Sequence, residues 1–210
     1  MTPISPDLSF ELPLWQAGLS ALAGLDEAGR GAWAGPVSAA AVILPPDPGL
    51  SARLNGVRDS KLMTARQRAV WAIQIKESAL TWAVGFASQV EIDETNILAA
   101  TRLAMQRALE QLSLPPQHLL IDAVRLPEVV LPQTVLIKGD MRSLSIAAAS
   151  VLAKTARDAL LVAWDVEYPA YGFARHKGYG TVLHQSALQK QGPCPLHRRS
   201  FAPIRALLKG

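Results

Sequence analysis

The feature of this chain that most restricts its fold is an alternation: short apolar runs of strand length are separated by longer segments with a helical period. Residues 20–26 and 37–44 are two such runs, joined by a glycine-rich turn and closed by Pro45-Pro46-Asp47-Pro48-Gly49, so they read as a hairpin. Between 64 and 79 the period changes. Val70, Ala72, Ile73 and Ile75 fall among Arg66, Arg68, Lys76 and Glu77, giving an amphipathic helix with Thr64 as its N-cap. A strand is expected at 81–88, a helix at 95–112 that stops before Pro115-Pro116, strands at 118–122 and 134–137, and a long alanine-rich helix at 145–164. Shorter helices follow at 181–189 and 204–208. Strands interleaved with crossover helices after an opening hairpin make an α/β domain, a mixed β-sheet flanked by helices.

Half of the 210 residues are hydrophobic and 18% are charged, enough apolar surface for a substantial core and too much for a disordered chain. The expectation is one domain over 1–210, with the sheet core at about 18–167 and a short, helical, basic extension at about 168–210. No segment approaches the roughly 18 uninterrupted apolar residues of a membrane span, and no basic region precedes an apolar stretch near Met1, so an unexported, cytoplasmic protein is expected. Cys194 is the single cysteine, which excludes an internal disulfide and fits a reducing compartment. After Glu167 no acid occurs, while Arg175, Lys177, Lys190, Arg198, Arg199, Arg205 and Lys209 do. A one-sided positive field suits a nucleic-acid backbone, although a solvated basic tail has the same composition.

Acids stand where strands end: Asp26 with Glu27, Asp122, and Asp140. Taken singly, each reads as a turn or cap residue. Adjacent side chains on a regular strand point to opposite faces, so Asp26 and Glu27 can serve one site only if the strand breaks or bulges, as Ala28-Gly29 would allow. Taken together, four carboxylates at one sheet edge would repel one another, and a divalent cation relieves that repulsion. With only oxygen ligands on offer the expected metal is Mg²⁺ or Mn²⁺, and two such ions can activate water against a phosphodiester.

These residues belong to an ordered set. It comprises Gly24-Leu25-Asp26-Glu27-Ala28-Gly29-Arg30-Gly31 with Gly35-Pro36, then Asp59-Ser60-Lys61, Asn96-Ile97-Leu98 and Lys138-Gly139-Asp140. Ser150, Ala153-Lys154, Arg157-Asp158, His176-Lys177-Gly178-Tyr179-Gly180-Thr181, Gly192-Pro193, His197-Arg198 and Ser200-Phe201 complete it. The chain resembles bacterial ribonuclease HII over nearly its whole length. That resemblance implies an RNase H-like fold and endonucleolytic cleavage of RNA in RNA-DNA hybrids, leaving a 5′-phosphate and a 3′-hydroxyl. It also implies cutting 5′ of single ribonucleotides embedded in DNA, a role in ribonucleotide removal, and a monomer.

By position, Asp26, Glu27, Asp122 and Asp140 look like the metal-binding acids. Gly29, Arg30 and Gly31 resemble the loop that reads the ribose 2′-hydroxyl, and glycine there lets backbone amides approach the sugar. Tyr179 resembles the tyrosine that stacks on the sugar after the ribonucleotide. Ser60, Lys61, Arg142 and Lys154 are candidate phosphate contacts. Asp158 is assigned to a structural salt bridge, and His184 and His197 to structural or phosphate-proximal places. One departure stands out: where the family often has Gly-Asn after the third acid, this chain has Ala123-Val124. Two other readings are weighed. Ribonuclease HIII shares the core but carries an N-terminal substrate-binding domain, for which the 25 residues before Asp26 leave no room. A catalytically silent hybrid-binding module would not need all four acids.

Overall fold

The architecture is that of a computed structural model describing residues 5–208; Lys209 of the basic tail lies outside them. Helix α1 (Glu11–Gln16) precedes the hairpin strands β1 (Leu22–Ala28) and β2 (Val37–Ile43). Next come α2 (Leu50–Arg53), α3 (Ala65–Ser78), β3 (Thr81–Ala87), α4 (Gln89–Glu94), α5 (Ile97–Glu110), β4 (His118–Asp122), β5 (Gln133–Leu136) and α6 (Leu144–Glu167). The C-terminal part adds α7 (Phe173–His176), α8 (Val182–Gln191) and α9 (Ala202–Leu207).

Capping sets several of these starts. Thr64 and Gln67 form a reciprocal capping box at α3, as the sequence suggested for Thr64. The helix expected over 95–112 begins later, because the Asn96 side chain accepts from the Leu98 and Ala99 amides and so opens α5 at Ile97. A second capping box, Ser88 with Glu91, gives the preceding residues their own helix, α4.

The five strands lie in the order β3-β2-β1-β4-β5. β1, β2 and β3 pair antiparallel, β4 runs parallel to β1, and β5 parallel to β4. This is the mixed sheet expected. Helix α6 covers one face, burying Ala147, Ala148 and Val151 against Ala28, Ala40 and Val42. The approach is so close that a Cβ on Gly24 would stand 2.3 Å from the Ser145 carbonyl carbon. Helix α5 covers the other face with Ala100, Ala104, Met105 and Ala108 against Leu25, Ala39 and Ala41.

Chain beyond α6 folds back rather than trailing into solvent. Phe173, Leu188, Leu196 and Ile204 bury against Leu161 and Ala34, a third core beside the hairpin loop. At the other end, Glu11 of α1 accepts from the Ser143 hydroxyl (2.7 Å) and the Ser145 amide (2.9 Å), fastening α1 across the start of α6. Among the described residues no helix is long and apolar enough to cross a membrane.

Candidate active site

Parallel pairing of β1 with β4 sets Leu25 beside Ile121, so the next residue of each strand, Asp26 and Asp122, ends up on neighbouring strands at the same level. Both follow the alternation of Ala28 and Leu120, which pack on the α6 side. Asp140 arrives from a 3-10 turn, Gly139–Met141, just before α6. The Gly139 amide donates to Asp122 Oδ1 at 2.7 Å, tying the strand end to the turn that carries Asp140. Where the family pattern has glycine, Ala123 adopts φ +51° itself.

Glu27 is placed differently from its neighbour. β1 continues in register through Ala28 and leaves the ladder only at Gly29, φ +93°. Glu27 therefore starts toward the opposite face and meets the site at its rim, where its Oε1 accepts from Arg30 at 3.1 Å.

The electrostatics are those of crowded acids. Burial pushes the Asp26 carboxyl well above the usual carboxylate range, and the charges of Glu27, Asp122 and Asp140 add to that, against a hydroxyl from Ser150. Burial, together with Asp59 and Asp122, raises Asp140 to about 6, Lys61 opposing. Burial raises Glu27 while Arg30 pulls it down. Lys61 shows the mirror image: burial alone would lower its ammonium, but Asp59, Asp26, Asp140 and Asp122 outweigh that and raise it. Asp59, beside Asp140, is an acid that the residue-by-residue reading did not select.

Next to these acids lies an open groove of about 770 Å³. Of the residues expected from sequence, Glu27, Gly29, Arg30, Gly31, Ser60, Lys61, Lys154 and Tyr179 line it. Lys154 and Arg157 flank the Tyr179 ring, at 5.2 and 5.5 Å from its centroid. Asp158 holds Arg68 at 2.9 Å and Lys154 at 2.7 Å, the structural role assigned to it. Arg142 goes elsewhere: it is exposed, stands 4.9 Å over the Phe10 ring, and is outside the groove wall. Arg175 and Lys177 do line the groove; the charge of the tail pointed to both, and Lys177 also stands in the run from His176 to Thr181.

Arg198, counted with the basic tail, does not face solvent: it and Arg157 are both 0% exposed. Arg157 donates to the carbonyls of Pro36, Lys177 and Ala34, all within 2.9 Å. Arg198 donates to those of Gly35, Arg30, Gly29 and Pro36, at 2.7 to 3.1 Å. Among the described residues these buried guanidiniums have no carboxylate partner, and backbone carbonyls satisfy them, those of the Gly29-to-Pro36 loop and that of Lys177. A Cβ at Gly29 would fall 2.0 Å from Arg157 Nε, so glycine here serves the clamp as well as the positive φ.

Among the described residues, no three His, Cys, Asp or Glu groups form a ready-made ligand shell. Several of the carboxylate oxygens are engaged: Asp26 Oδ1 accepts its neighbour's amide, Glu27 takes Arg30, and Asp122 takes Gly139. A cation nonetheless fits. Glu27 Oε2 is buried without a partner, the donors are all oxygen, and the acids raise one another's affinity for protons through uncompensated charge.

Comparison with known proteins bears on all of this. The family model described as Ribonuclease HII matches residues 23–204. Ribonuclease HII of Synechococcus sp. (strain JA-3-3Ab) is 53% identical over 209 residues, 99% of this chain and 93% of the relative. Ribonuclease HII of Chloroflexus aurantiacus is 54% identical over 208 residues, 97% of each. Among solved structures, ribonuclease H2 from Pyrococcus horikoshii OT3 superposes with a TM-score of 0.68 at 25% identity, covering 90% of this chain and 97% of that one.

Proposed function

The chain belongs to the ribonuclease HII family, and from that premise we propose a reaction for the site described above. Family membership makes it a ribonuclease H, a hydrolase that cuts RNA in RNA-DNA hybrids. The finer reading is cleavage 5′ of single ribonucleotides embedded in duplex DNA, in the service of ribonucleotide removal during replication and repair. One observation carries it: Glu27 lines a groove whose other walls are a glycine loop, lysines and Tyr179, and Lys61 of that wall stands 4.0 Å from Asp140, which adjoins Asp26 and Asp122.

The four acids would hold two Mg²⁺ or Mn²⁺ ions, which when bound supply an activated water and stabilise the leaving oxygen. Lys61, Lys154, Arg175 and Lys177 set the register of the strands by pairing with phosphates. Gly29 and Arg30, whose carbonyls Arg198 holds, present backbone to the ribose together with Gly31, where the 2′-hydroxyl is read. Tyr179 stacks on the sugar that follows, which distinguishes an RNA-to-DNA junction from continuous RNA. Attack by water breaks the bond from phosphorus to the sugar O3′ of the preceding nucleotide, a deoxyribose where a single ribonucleotide lies in DNA. It leaves a 5′-phosphate and a 3′-hydroxyl, so the 2′-hydroxyl is recognised and not used as nucleophile.

The unit proposed is a single catalytic domain acting as a cytoplasmic monomer, in which the residues after 167 bind substrate. The test is cleavage of duplex DNA carrying one ribonucleotide, with Mg²⁺ or Mn²⁺ and with chelator. A cut 5′ of the ribonucleotide, lost on chelation, is expected. Cleavage of hybrids without that cut would sink the junction reading alone.

A further inference from the structure

Beneath the turn that presents Tyr179 lie three imidazoles, His176, His184 and His197, at 7%, 0% and 1% exposure. His184 stacks on His176 with centroids 4.3 Å apart and 13° between planes. The two Nε2 atoms of His184 and His197 are 2.9 Å apart. Burial, with the charge of neighbouring rings, lowers His184 and His197 to about 4, so all carry one proton each at neutral pH.

A neutral imidazole has one donor and one acceptor nitrogen, so the bonds fix the tautomers. The Cys194 amide donates to His197 Nδ1 at 3.0 Å, which puts the His197 proton on Nε2. From there it is donated to His184 Nε2, and His184 keeps its own proton on Nδ1, 3.1 Å from the Tyr179 carbonyl oxygen. The reverse arrangement, with His197 Nδ1 donating to the Cys194 carbonyl at 3.2 Å, would aim a lone pair of His184 at the Tyr179 carbonyl. His176 completes the hold, its Nδ1 accepting from the Gly178 amide at 3.1 Å. The turn needs holding: Lys177 at φ +52° and Gly178 at φ +79° are both left-handed, a cost for lysine.

We propose that His184, oriented by His197, is a positioning residue for Tyr179. It donates to the Tyr179 carbonyl and thereby fixes the turn that aims the ring at the sugar across the junction. The inference rests on the reading of Tyr179 given above, and the ring itself touches the substrate while the histidines do not.

The experiment combines ¹⁹F NMR of 3-fluorotyrosine at position 179 with cleavage of two substrates, a duplex with one ribonucleotide and a uniform RNA-DNA hybrid. In His184→Ala the position-179 resonance shifts and broadens, and the ratio of junction to hybrid cleavage falls on the order of tenfold. His184→Asn, whose amide nitrogen takes the place of Nδ1, recovers most of the ratio. Added to Tyr179→Ala, the histidine change lowers the ratio no further. An unmoved resonance overturns the proposal, as does a loss equal on both substrates that asparagine does not repair. If the resonance moves but Tyr179→Ala leaves the ratio unchanged, the junction reading of Tyr179 has failed, and the role of His184 in substrate choice is overturned with it.

Discussion

The acid end of the site and the loop that faces it are held by opposite means. Asp26 and Asp122 sit on strands whose ladder fixes their register, and three acids stay close although burial and mutual charge oppose it. The Gly29-to-Pro36 loop has little ladder of its own, yet Arg157 and Arg198 give seven of its bonds or its neighbour's a donor from buried guanidiniums. One region is rigid because of its backbone and strained by its side chains. The other is rigid because of side chains more than 100 positions away, Arg198 to Gly29 being 169 apart. A substitution in the first should therefore cost chemistry, and one in the second should cost structure.

The sharpest break of that contrast would come from Asp26→Asn. It keeps the shape and removes the charge, so turnover should fall by about 10³-fold or more while affinity for hybrid, which rests on phosphate contacts, changes little. Stability should not fall, since the carboxyl it replaces is disfavoured by burial and by its neighbours. Single-turnover cleavage, hybrid binding and urea unfolding read the three quantities. Comparable losses in all three would erase the distinction.

Arg198→Met is the matching change at the loop. Methionine keeps most of the volume but leaves the carbonyls of Gly29, Arg30, Gly35 and Pro36 without this donor. Relief of a buried cation offsets part of the loss, and the net expected is about 3 kcal/mol in urea unfolding. Amide exchange of Gly29 to Gly31 should quicken as well. A change under about 1 kcal/mol would show that water or a shifted backbone replaces the guanidinium.

The same contrast decides what the sequence made legible. β4 ends at Asp122 as expected, and Thr64 caps α3, because alternation and capping are local signals. Asp26 was expected to end its strand, but β1 runs two residues further, to Ala28. Glu27 was expected to depend on a break at Ala28-Gly29, whereas β1 holds its register through Ala28 and the acid reaches the site from the rim. Arg198 read as one more charge in a basic tail, since nothing in its neighbourhood tells that four carbonyls from residues 29–36 will surround it. Helix α1 spans six residues, too short to show a period, and its fastening depends on Ser143 and Ser145 far along the chain.

The smallest effect lies at the seam between the two regimes, where a strand end carries backbone strain. Ala123 holds φ +51° between Asp122 and Val124, and the Val124 amide bonds back to the Asp122 carbonyl in a tight turn about it. A left-handed φ costs an L-residue with a Cβ roughly 1–2 kcal/mol, and glycine nothing. Ala123 is exposed, so its methyl returns little by packing. Against the relief stands the greater freedom that glycine gives the unfolded chain, about 0.5–1 kcal/mol. Ala123→Gly should therefore stabilise the protein by about 0.5–1 kcal/mol, a rise in Tm of about 1–4 °C for a domain of this size. A fall in Tm would mean that the strand end gains more from the alanine methyl than it loses to strain. The turn between Asp122 and Gly139 would then be fixed by packing, as the loop is, and not by its backbone.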